Sequence, residues 1–143
     1  MRRIVIVIAA VVMVVAAGLA VTHALMSPPD DLDLSRSKTT AGGRYHVEIA
    51  PEIEPLALAV MHAWVLTLTT PDGEPIEDAE IAIGGGMPQH GHGLPTAPKA
   101  TAYLGGGRYR IEGVRFNMPG NWTLEFAISA SPGNDAVVFN VAL

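Results

Sequence analysis

Met87, His90 and His92 stand within six residues in the run Gly84-Gly85-Gly86-Met87-Pro88-Gln89-His90-Gly91-His92-Gly93-Leu94-Pro95-Thr96. An extended backbone sends residues i and i+2 to one side, with Cα atoms about 6.5–7 Å apart. Two imidazoles so placed can converge on one metal ion at about 2.0–2.1 Å from each nitrogen. A thioether beside imidazole is a soft to borderline donor set, which suits copper better than magnesium or calcium. Calcium and magnesium are further disfavoured because no carboxylate lies between Glu80 and Glu112. Zinc on the histidine pair is the competing outcome. The plainer reading is an irregular connection whose glycines permit tight geometry and whose histidines only hydrogen-bond.

Three ligands from one loop make a weak site, so a fourth donor from elsewhere would strengthen it. Met118, in the turn Asn117-Met118-Pro119-Gly120, is the best placed, with core filling as its alternative role. His62 falls on the strand face of Trp64, where a hydrogen-bonded rim histidine is the commoner outcome. His46 alternates away from the apolar face and is expected in solvent, and neither His23 nor Met61 is assigned a role. Methionine-dominated coordination would favour Cu(I), and imidazole-dominated coordination Cu(II). Binding would weaken on acidification, because imidazole donates only when unprotonated.

Other chemistries find little support. The chain has no cysteine, which excludes disulfides, a thiolate copper site and a lipid-modified N-terminal cysteine. The glycine clusters do not follow the Gly-x-x-x-x-Gly-Lys-Ser/Thr pattern of a phosphate loop. Ser131 has no histidine-bearing nucleophile motif around it, so no enzyme is expected. With Arg2 and Arg3 set aside, seven basic residues face fourteen acidic ones, a balance that excludes nucleic acid as a partner.

The elements that must position these residues are short strands. Tyr45, Val47 and Ile49 alternate with polar neighbours. His62 to Thr69 is β-rich with Trp64, Leu66 and Leu68 on one face, and Pro71-Asp72-Gly73 forms a turn. Ala79, Ile81 and Ile83 predict a strand that stops at the triple glycine. Thr101–Leu104 pairs with Arg108–Ile111 across Gly105-Gly106-Gly107, and Val114 and Phe116 continue the second strand. Trp122, Leu124, Phe126 and Ile128 alternate cleanly before Pro132–Asp135 closes a hairpin into Val137–Val141. About seven strands predict an all-β fold, an immunoglobulin-like antiparallel β-sandwich with Trp64 and Trp122 in its core.

That domain is expected over residues 44–143, after a spacer of small and polar residues over 26–43. Ahead of it, Ile4 to Val21 is an uncharged apolar run of 18 residues preceded by Arg2 and Arg3. As a helix it would reach about 27 Å, near the thickness of a bilayer's hydrocarbon core. Residues 1–25 are therefore expected to be one transmembrane helix, with the arginines in the cytoplasm and the domain outside. A retained anchor is favoured over a signal peptide cut near Thr22-His23-Ala24, because 18 apolar residues exceed the usual signal core of about 7–15.

The combination of His62-Ala-Trp64, Asp72-Gly73, Met-Pro-Gln-His-Gly-His over 87–92, Gly107-Arg-Tyr109, Phe116-Asn-Met-Pro-Gly120 and Trp122 resembles the YtkA-like/FixH-like family. These are small bacterial proteins with one N-terminal membrane segment and an exported β-sandwich. The resemblance implies the same fold here over about 44–143, and it carries a copper role onto Met87, His90, His92 and Met118. Family contexts of respiratory-oxidase assembly and copper handling imply a respiratory or metal-transport membrane protein as partner; no catalytic mechanism is implied.

The leading expectation is an accessory protein of the inner membrane, single-pass, with a copper-binding domain facing the periplasm or cell exterior. The alternative is a metal-free interaction module of a membrane complex, in which the histidine loop is only a structural closure. A small organic ligand held between the sheets ranks last, because two tryptophans are expected to fill that space.

Overall fold

The computed structural model describes residues 31–143. The expected helix over 4–21, with its anchor and His23, lies outside the described residues. Among the described residues no helix is long and apolar enough to cross a membrane.

Among the described residues nine strands carry the fold: β1 (Ser37–Thr39), β2 (His46–Pro51), β3 (Met61–Thr69), β4 (Glu80–Met87), β5 (His92–Gly93), β6 (Lys99–Gly105), β7 (Arg108–Arg115), β8 (Asn121–Ala130) and β9 (Gly133–Ala142). They form two wholly antiparallel sheets, of order β1-β2-β3-β7-β6 and β5-β4-β8-β9. Period-two alternation decides which faces meet. Val47 and Ile49 from β2, Trp64, Leu66 and Leu68 from β3, and Tyr109, Ile111 and Val114 from β7 are buried. They pack into one core with Trp122, Leu124, Phe126 and Ile128 from β8 and Val137, Phe139 and Val141 from β9. The two tryptophans are each about 1% exposed, as the expectation for the core required.

Two boundaries differ from those read in the sequence. Folded structure begins before Arg44: β1 pairs with β2 from Ser37↔Glu48 to Thr39↔His46, so three residues of the expected spacer are sheet. Polar Ser-Lys-Thr gives no apolar signal because an edge strand needs only backbone pairing. The triple glycine does not end its strand either. β4 runs through Gly84, Gly85 and Gly86 to Met87, paired as far as Gly86↔Thr123. A Cβ on Gly85 would lie 2.0 Å from the Thr123 carbonyl oxygen, and one on Gly86 2.2 Å from that of His92. Glycine is here the residue that lets neighbouring backbones approach, rather than a breaker.

Antiparallel pairing gathers the connections at two ends. One end holds the start of β1, the β2–β3 connection (52–60), the end of β4 with the 3₁₀ turn Pro88–His90, the β7–β8 connection (116–120) and the end of β9. The opposite end holds the β1–β2, β3–β4, β6–β7 and β8–β9 connections. All the residues proposed to bind metal fall at the first end.

Candidate functional site

Met87 is the last residue of β4 and pairs with His92, the first of β5, so the expected loop is a small built structure. Proline at the first position of the 3₁₀ turn presets its φ, and Gly91 closes it in the left-handed conformation, φ +66°. The Gly91 N–H donates back to the carbonyls of Met87 (3.0 Å) and Pro88 (3.3 Å). The chain thereby reverses within four residues and returns His92 beside Met87.

The reversal brings the two imidazoles together. The ring centroids of His90 and His92 stand 5.9 Å apart with 25° between their planes. Two imidazoles that share one ion have centroids about 5–6.5 Å apart, since each centroid then lies about 3.2 Å from the metal. Both residues are exposed. The ring of His92 also meets the edge of Trp122 at 5.9 Å, and Trp122 meets Phe116 at 5.5 Å. The pair therefore rests on the sandwich core at one ring and is open to solvent at the other. Gly85, Gly86, Gly91, His92, Thr123 and Glu125 line a shallow cavity of about 310 Å³ beside it.

The sulfur donors are placed differently from each other. Met87 is buried at 1% exposure, and its Cε fills the space that a Cβ on Gly120 would need, 2.7 Å away. Its side chain thus plugs the core against the β7–β8 turn, next to His92 across the strand pair. Met118 is 39% exposed in that turn. Its carbonyl accepts the Trp122 Nε1–H at 3.1 Å, which fixes the turn to the same indole that His92 touches. One tryptophan therefore links the histidine segment to the second methionine turn.

The other two histidines among the described residues, His62 and His46, follow their expectations. His62 is 7% exposed, and its Nε2 lies 2.8 Å from the Ala57 carbonyl, a rim histidine with a partner. His46 is half-exposed on the outer face, 2.9 Å from Ser37 Oγ. Among the described residues no three His, Asp or Glu side chains converge as a metal cluster.

Sequence reasoning assigned Trp122 to the core and did not see it as the wall of the histidine pair. Strand alternation reports which face a residue takes, but not which neighbour returns from a turn onto that face. The usable signal was the pairing of β4 with β8, which sets Gly86 opposite Thr123 and hence Trp122 beside Met87.

Residues 39–127 match the family model described as YtkA-like. The chain belongs to the YtkA-like family. The matched stretch runs from the last residue of β1 into β8, so it contains Met87, His90, His92, Met118 and Trp122. No curated protein and no solved structure matches the chain.

Proposed function

We propose that this YtkA-like protein is a membrane-anchored, periplasm-facing accessory that binds a metal ion, copper before zinc, at the histidine end of an immunoglobulin-like sandwich. The observation that carries the reading is the His90–His92 centroid separation of 5.9 Å, with His92 packed edgewise against Trp122. That separation falls within the range of two imidazoles sharing one ion. In this reading the imidazoles are the primary donors, and the exposed thioether of Met118, on the turn tied to Trp122, is the added sulfur. Met87 supplies a fourth donor only after its side chain leaves the contact with Gly120. An imidazole pair open to solvent on one side suits an ion that is passed on, and a carrier or assembly role beside a respiratory or metal-transport membrane protein follows. No catalytic step is assigned, and the apolar run Ile4–Val21 supplies the anchor.

The test is titration of the detergent-solubilised full chain with Cu(I), Cu(II) and Zn(II) against a chelator of known affinity. In a Trp64→Phe background Trp122 is the only tryptophan, and Cu(II) at the histidine pair is expected to quench its emission. The His90→Ala/His92→Ala double variant should lose copper affinity by about 100-fold or more, as removal of two imidazole ligands implies. Unchanged affinity in that variant rejects the site and leaves the metal-free interaction module.

A further inference from the structure

Nine large apolar side chains are exposed among the described residues, and six of them sit at the histidine end: Leu34, Ile53, Leu58, Val60, Met61 and Met118. Four of them, Ile53, Leu58, Val60 and Met61, lie in the β2–β3 connection and the start of β3 and make the densest part of this group. From Pro55 to Met61 the chain reads Pro-Leu-Ala-Leu-Ala-Val-Met, seven consecutive residues without charge or hydrogen-bonding side chain, and all but Leu56 are exposed. A surface connection in a water-soluble domain is ordinarily built from polar and turn-forming residues. This one turns its apolar side chains outward.

Charge is managed to match. The two carboxylates that precede the run are both paired: Glu52 accepts two hydrogen bonds from Arg110, at 2.6 and 2.9 Å, and Glu54 pairs with Arg36 at 2.5 Å. The Ala59 N–H donates to the Phe116 carbonyl at 2.7 Å, which holds the connection against the β7–β8 turn that carries Met118. The opposite end of the sandwich carries Asp72, Glu74, Glu77, Asp78 and Asp135 in or beside its connections. Among the described residues the apolar connection thus lies at one end of the sandwich, and this group of carboxylates at the other.

We infer that the connection Ile53–Met61 is a bilayer-contacting wedge, which seats the histidine end of the sandwich on the interface of the membrane that anchors the chain. The inference rests on the anchored reading above. The occupant is a lipid surface because the domain is entered at this same end. Only nine residues, 22–30, separate the apolar run ending at Val21 from Asp31. They span at most about 30 Å even when fully extended. Branched and thioether side chains without a defined groove fit the interfacial acyl boundary, which has no fixed shape to complement. The consequence for the metal site is directional: the His90–His92 pair sits at the membrane-facing end, within reach of a membrane-embedded acceptor.

The chain lacks cysteine, so single-cysteine labelling reads each position cleanly. Full-length Leu58→Cys, Val60→Cys and Asp72→Cys variants, each carrying an environment-sensitive fluorophore, are reconstituted into phosphatidylethanolamine–phosphatidylglycerol vesicles with and without doxyl-labelled lipid. Labels at positions 58 and 60 are expected to lose emission roughly two-fold or more in doxyl lipid, with position 72 unaffected, as for side chains at the acyl boundary. If the chain floats with the vesicles but positions 58 and 60 stay as water-exposed as 72, the wedge is overturned and the anchor stands. If the chain fails to float, the anchor falls and the wedge with it. Desolvation of position 58 in detergent, with disulfide-linked dimers of unlabelled Leu58→Cys, would assign the patch to a second copy and also overturn the inference.

Discussion

Glycine in β4 is a requirement of contact distance, and adjacent positions separate the effect from mere strand propensity. Gly85 has φ +134°, and a Cβ there would overlap the Thr123 backbone. Gly84 would place its Cβ 4.0 Å from the Glu125 side chain, an ordinary contact. Gly85→Ala is therefore expected to destabilise the domain by about 3 kcal/mol or more, through strain and overlap that rigid backbone cannot relieve. Gly84→Ala should stay within about 0.5 kcal/mol of the parent. Urea unfolding of the two variants measures the contrast; equal losses would mean that the strand pair can spread. Because β4 ends at Met87 opposite His92, the Gly85 variant should also disturb the histidine pair, while Gly84→Ala leaves it intact.

At the scale of elements, one carboxylate ties the first connection to the last strand. Asp135, at the start of β9, accepts hydrogen bonds from Thr40 Oγ1 (2.7 Å) and from the N–H groups of Gly42 (2.8 Å), Arg44 (3.1 Å) and Ala136 (2.9 Å). The Thr40 hydroxyl above all, then the backbone donors, hold its carboxyl well below the usual carboxylate range. A group whose pKa is depressed by folding contributes stability above its unfolded value, about 3.9, and loses that contribution as pH falls through the folded value. The urea midpoint of the parent is thus expected to fall as pH drops below about 4. Asp135→Asn should start from a lower midpoint at neutral pH and show a shallower acid decline. An unchanged acid slope would mean that other carboxylates, such as Asp78 and Glu52, carry it. No periodicity announces this staple, because its partners lie 91 to 95 residues away in the chain.

For the whole molecule, the folded unit is larger than its apolar pattern suggests. A chain cut to begin at Arg44 loses β1, the Thr40 hydroxyl that binds Asp135, and the Tyr45 N–H bond to Thr40 Oγ1. It would also uncover the outer edge of β2, a ready template for pairing with another chain. A fragment of residues 31–143 is expected to stay monomeric and unfold cooperatively, whereas 44–143 should associate and unfold at lower urea. Sedimentation and chemical unfolding compare the two; identical behaviour would show β1 to be dispensable. The same view of the molecule explains why its apolar end passes unnoticed in a strand-by-strand reading. Leu58, Val60 and Met61 look like core material until the topology shows them outside it.

What the sequence alone determined is what depends on local periodicity: an antiparallel all-β domain, the faces of its main strands, both core tryptophans, and the segment in which two imidazoles could meet. Those features are written in alternation and turn chemistry, which act over a few residues. Tertiary structure decided the rest. It made polar Ser37–Thr39 a strand and kept the glycines of β4 in the sheet. It also buried Met87 while leaving Met118 exposed, and set His92 against Trp122. Each of these depends on which backbone comes alongside, and that pairing, whether from the next strand or from one far along the chain, leaves no periodic trace in the segment itself.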